Sequence, residues 1–284
     1  MLAALLAAML AAGGLRAQSV PVEKPVPALV KLLPERVATA KSVTVAVALG
    51  SPPDDFRDAQ GEINGWEIDI LRAATQALGV QLDLRPTTFD TLIPGLQSKR
   101  FDAAVGQIGV TDLRLKVLDM IGTLRANELF AALTGSELKV KTLGDLCGVT
   151  VSTVRGSREF EFAQAYQPQC AAAGKQPINM LVFSDGNAAA DSLMSKRSEV
   201  IWLGSTTISY FVSQTKGKTK VVGSYTDTSY IGVALSKNSD SSPALQAAIQ
   251  HLLEDGTYKA ILAKWGLEDG AASKISLNPT GNPS

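Results

Sequence analysis

The sequence predicts an α/β protein of two lobes, each a mostly parallel sheet flanked by helices. Three observations carry this. From residue 43 to residue 105, apolar runs of strand length alternate with segments of helical period, the order that builds a parallel sheet covered by helices. The alternation starts again at Val149, so two units of about a hundred residues stand in series. The 284 residues are 45% hydrophobic and 19% charged, enough apolar material for a core in each unit.

Each element follows from its residues. Residues 1–17 are expected to be a signal peptide: residues 2–12 are apolar, too short for a bilayer span of about twenty residues, and Ala17 closes the leader with a small side chain. No cysteine stands at its end, so no lipid anchor is expected, and the chain is expected to be soluble in a periplasm. Residues 18–42 form a lead-in with a weak helical period. VTVAVAL, residues 43–49, is a strand buried on both faces. SPPDDFRD is a loop, and residues 68–78 place Ile70, Leu71, Ala74, Ala77 and Leu78 on one helical face, stopped by Gly79. Strand 80–84, helix 92–96 and strand 101–105 complete the first unit. The second has strand 149–153, a helix near 158–165, strand 179–183, helix 187–194 and strand 199–203. A strand over 230–236 and helices over 242–265, broken at Asp255-Gly256, come last. The polar residues 268–284 are expected to be a disordered tail.

The most informative stretch is DTLIPGLQSKRFDAAVGQIGVTDLR, residues 90–114. It reads as helix, turn, buried strand, then a loop opening a second helix, and it presents Gln107, Gly109, Thr111 and Arg114 together. Free backbone N–H groups, a helix start and a guanidinium make a carboxylate holder. Lys+Arg and Asp+Glu both number 27, which argues against a nucleic-acid partner. The lone histidine, His251, leaves no Ser-His-Asp or Cys-His arrangement, and no metal-ligand spacing or phosphate loop is present, so neither a metal nor a cofactor is expected. Cys147 and Cys170 permit one disulfide, closing a loop of about 23 residues, or stand as two buried thiols.

GWEIDILRAATQALGV, the 90–114 stretch, KTLGDLCGVTVSTVRGS, YIGVALSKNS and LEDGTYKAILAKWGL, taken in order, resemble the extracytoplasmic solute-binding proteins of the amino-acid class, the periplasmic receptors of ABC importers. The resemblance implies a two-lobed periplasmic-binding-protein fold joined by two crossing strands. Lobe one would hold residues 43–131 and 230–267, and lobe two residues 132–229. It implies a binding protein, not an enzyme, that closes as a monomer on a small carboxylate-bearing ligand and delivers it to a membrane permease. By the same resemblance Arg114 takes the ligand carboxylate, the Gln107–Thr111 loop supplies hydrogen bonds, Gly156, Ser157 and Arg158 complete the anion site, and Phe89 walls the pocket. The chain departs from the pattern where family members carry an aspartate for the ligand's α-ammonium: here WLGST puts Gly204, followed by Ser205. Ala48 and Ser51 replace an acidic and an aromatic residue, and Gly109 replaces a serine or threonine. The ammonium half of the site is therefore expected to be lost, with Asp54 or Asp55 the candidate cation partner and the ligand an amino acid or a related organic acid. The alternatives are a periplasmic enzyme on the same fold, such as a cyclohexadienyl dehydratase using Glu159 or Glu161 as acid, or the sensor domain of a receptor.

Overall fold

The computed structural model describes residues 20–279, with the side chains of 226–228 excepted. The expected leader and the last five residues lie outside the described residues. Two short helices, α1 (Pro27–Val30) and α2 (Glu35–Ala40), lead into β1 (Ser42–Ala48). A small hairpin, β2 (Phe56–Arg57) and β3 (Ile63–Asn64), precedes α3 (Trp66–Ala77), β4 (Gln81–Thr87), α4 (Phe89–Gln97) and β5 (Ala103–Val105). Val45, Ala46 and Val47 are buried on both faces of β1, as its unbroken apolar run requires, and β1 pairs in parallel with β4 and β5. The second helix of the 90–114 stretch is a single turn, α5 (Asp112–Leu115), too short to carry a useful dipole.

A long strand, β6 (Leu118–Leu133), then crosses to the other lobe. There β7 (Thr150–Val154), α6 (Arg158–Ala172), β8 (Asn179–Phe183), α7 (Gly186–Met194), β9 (Val200–Gly204) and α8 (Ser205–Gln214) repeat the alternation. β7 pairs in parallel with β8 and β9. Helix α8 escapes the sequence reading because STTISYFVSQ is rich in β-branched residues of low helix propensity. A second long strand, β10 (Thr219–Ser236), returns antiparallel to β6, and α9 (Ser242–Asp255) and α10 (Thr257–Trp265) pack on lobe one. The strand order is β4-β1-β5-β10-β6-β9-β7-β8, so the two crossing strands join both parallel sheets. Their register slips between Tyr225 and Ser229, opposite Glu128 and Ala126, where the chain passes between lobes.

The expectation of a disordered tail is wrong over its first part. Ala271–Leu277 forms β11, antiparallel to β6. The free edge of β6 offers a partner, Ala272 and Ile275 enter the core, and Tyr258 Oη takes the Ala272 N–H at 2.8 Å while donating to Thr123 O at 2.7 Å. Composition does not register these contacts. Cys147 and Cys170 form a disulfide that ties the turn before β7 to α6. Among the described residues no helix is long and apolar enough to cross a membrane.

Candidate functional site

A cleft partly open to solvent lies between the lobes. Lobe one contributes the end of β1 with Ser51, Phe89 at the start of α4, the loop after β5, and Arg114; lobe two contributes the starts of α6 and α7 and the end of β9. Ligands bind where such sheets present the carboxyl ends of their strands.

Arg114 is 3% exposed. Its Nη1 donates to Gly109 O at 2.9 Å and its Nη2 to Gly156 O at 3.2 Å, so one guanidinium touches both lobes. The Phe89 ring centroid lies 5.7 Å from its Cζ. Burial pulls its pKa down, opposed mainly by Glu161, whose Oε1 is 3.8 Å from Nη2. Arg114 Nε is buried without a hydrogen-bond partner among the described residues. Arg114 lines the cleft. Thr111 does not line the cleft; its hydroxyl accepts the Arg114 N–H at 3.2 Å and caps α5.

The loop after β5 is held from behind. Gln107 adopts φ 58°, and Glu67 Oε2 accepts the N–H groups of Gly106 at 3.2 Å and Gln107 at 2.7 Å. Those donors therefore face Glu67 and not a ligand. The Gln107 side chain lines the cleft, and its amide donates to Asp54, Thr206 and Thr207. Asp54 corrects a second expectation. It is fully buried and accepts from Trp66 Nε1, Gln107 Nε2, Thr206 Oγ1 at 3.0 Å and Thr207 Oγ1 at 2.7 Å. Saturated by four donors, it latches lobe one to α8 and offers a ligand cation nothing. Burial lifts the Asp54 carboxyl to about 6, with its donors pulling it back. Burial, and then the charge of Asp54, lift Glu67 to about 8. Asp55, buried beside both, is pushed well up for the same reason.

At two of the departures from the family pattern, Gly109 and Gly204, a neighbouring side chain occupies the place. A Cβ at Gly109 would lie 2.9 Å from Arg158 Cζ, so the guanidinium fills the room that a side chain would take. Arg158 itself pairs with Glu128 and Ser229 on the crossing strands. Burial lifts the Glu128 carboxyl to about 8, with Arg158 opposing. A Cβ at Gly204 would lie 2.5 Å from the Gln107 amide, which crosses from lobe one to fill that place. Ser157 lines the cleft and caps α6 by accepting the Phe160 N–H, and Gly156 contributes its carbonyl to Arg114. Ser205 faces another groove, with Arg125, Tyr210 and Trp265, because α8 begins there and turns it away.

Nor is the cleft short of negative charge. Glu159 and Asp185 both line it. The sequence reading does not single out Asp185, which caps α7 by accepting the Ala188 N–H at 2.9 Å. Its position beside Gly50, whose Cβ would fall 2.8 Å from Asp185 Cβ, exists only once the lobes meet.

The model of the bacterial extracellular solute-binding proteins, family 3, matches residues 43–268. The chain belongs to this family. The arginine-binding protein ArgT of Corynebacterium glutamicum is 30% identical over 260 residues, 90% of this chain and 84% of the relative. The L-cystine-binding protein TcyJ of Escherichia coli (strain K12) is 27% identical over 216 residues, 75% of this chain and 78% of the relative. Among solved structures, an ancestral arginine-binding protein bound to arginine is similar with a TM-score of 0.71 and 27% identity, covering 79% of this chain and 98% of its own. The resemblance drawn from the sequence and the two-lobed α/β fold are both borne out. In this family 3 solute-binding protein, the crossing strands β6 and β10 place Arg114 of one lobe against Gly156 of the other.

Proposed function

We propose that the chain is a periplasmic receptor for an amino acid with a cationic side chain, soluble, monomeric and exported by the leader at residues 1–17. It passes its ligand to the membrane permease of an ABC importer. The observation that carries this reading is Arg114: a buried guanidinium, held by carbonyls of both lobes, with one nitrogen still unpartnered. A carboxylate grips such a group with charge-assisted hydrogen bonds. Because the carbonyls come from both lobes, ligand binding and lobe closure are linked. Arg158 also lines the cleft but is paired with Glu128 and Ser229, which leaves Arg114, with its unpartnered Nε, facing the ligand together with two carboxylates, Glu159 and Asp185. A carboxylate with two positive groups matches that set. The relatives are named as binding proteins, two of the three for arginine, which speaks for binding over dehydration. The balanced charge favours no nucleic-acid partner.

The test is calorimetric titration of protein freed of ligand by unfolding and refolding, against the amino acids and matched organic acids. L-Arginine is expected to bind, and L-citrulline, of similar shape without the charge, at least tenfold more weakly. Equal affinity for the two overturns the cationic side chain; binding of organic acids in preference to every amino acid overturns the reading.

A further inference from the structure

The amino-acid reading leaves open which residue receives the ligand's α-ammonium, and the inference below rests on that reading. In an α-amino acid the ammonium and the carboxylate hang from one carbon. The ammonium's partner must therefore stand close to the group that holds the carboxylate. Around Arg114 the acids can be taken one at a time. Gly204 has no side chain, and the Gln107 amide fills its place. Asp54 is saturated and lies behind Gln107. Glu161 is 43% exposed and does not line the cleft. Asp185 stands beside Gly50 and Ser51, occupied in capping α7.

Glu159 remains. It follows Arg158 in the first turn of α6, is 7% exposed, and lines the cleft. It shares the cleft lining with Arg114 and Arg158. Among the described residues its side chain makes no hydrogen bond or ion pair, although a carboxylate buried to this degree is normally paired. We propose that Glu159 is the residue that receives the ligand's α-ammonium, and so the one that separates α-amino acids from their des-amino counterparts.

The experiment compares L-arginine with 5-guanidinopentanoate, which keeps the carboxylate and the guanidinium and lacks the ammonium. Calorimetry is run on the wild-type chain and on Glu159→Gln, Glu159→Asp and Asp185→Asn. The wild type is expected to prefer arginine at least 100-fold. Glu159→Gln is expected to cut that preference below tenfold while leaving affinity for 5-guanidinopentanoate within threefold. Glu159→Asp, which draws the carboxylate back by one methylene, should give an intermediate preference and serves if the glutamine variant does not fold. The proposal is overturned if these variants keep the full preference, if both compounds weaken equally, or if Asp185→Asn is the change that abolishes the preference. In those cases the amino-acid reading stands. A wild type that binds no amino acid overturns both.

Discussion

Arg114 carries its charge into the protein interior, where an ion out of water costs several kcal/mol unless it is paired. Two carbonyls recover part of this, and the ligand carboxylate proposed for this site would recover more. Arg114→Lys keeps the charge and loses the planar fork. It is expected to weaken amino-acid binding on the order of 100-fold by calorimetry; unchanged affinity would remove Arg114 from the site. This residue was legible in the sequence because strand, loop and arginine follow one another locally. Asp54, Thr111 and Ser205 were misjudged because their partners lie far along the chain or on a face that local pattern does not assign. Asp54 and Glu67 carry a pH prediction. Their carboxyls are lifted in the folded state to about 6 and about 8, so the folded chain holds protons that the unfolded chain has released. The stability this contributes is whole below about pH 4. It is lost as pH rises through about 6 at Asp54 and about 8 at Glu67. Urea denaturation should show the protein more stable at about pH 5 than at about pH 8, by on the order of 2–4 kcal/mol. Glu67→Gln keeps an acceptor oxygen for Gly106 and Gln107 and should flatten the upper part of that slope.

At the scale of elements, β11 and the disulfide make separate contributions. Ile275 is wholly buried where β11 covers the edge of β6. Ile275→Ala is expected to lower the unfolding free energy by about 3 kcal/mol. A loss under about 0.5 kcal/mol, the range of ordinary surface substitutions, would mean that the strand is not part of the cooperative fold. Replacing Cys147 and Cys170 together by serine should cost roughly 3 kcal/mol for a loop of this length, with ligand affinity unchanged, since neither cysteine lines the cleft. The helices and strands most legible in the sequence, β1, α3 and β8, are those whose period or apolar run is uninterrupted. β6, α8 and β11 were not legible: β6 and β11 are defined by pairing with distant strands, and α8 by packing that overrides weak propensity.

For the whole molecule, the contact between lobes is polar and specific. Thr206 and Thr207 at the start of α8 donate to Asp54, and Gln107 joins all three. Opening the cleft breaks these bonds, so they favour the closed state that Arg114 also favours through Gly109 and Gly156. Replacing both threonines by valine keeps their shape and removes the hydroxyls, leaving Asp54 with two fewer donors. The double variant is expected to release ligand at least tenfold faster in stopped-flow chase experiments. An unchanged release rate would show that the latch plays no part in holding the cleft shut.

The sequence by itself determined the alternation of strands and helices, the two-lobed class and the presence of an arginine just after the loop that follows β5. These are written in periodicity and in residues near one another in the chain, so their physics is short-range. Tertiary structure decided the rest: that Gln107 fills the place beside Gly204, that Asp54 latches the lobes, and that Glu159 and Asp185 face the cleft. Each depends on two crossing strands bringing together distant segments, 152 residues apart in the case of Asp54 and Thr206. No local pattern records which buried polar group will meet which partner across such a distance. The requirement that buried polar groups be satisfied acts only on the assembled fold.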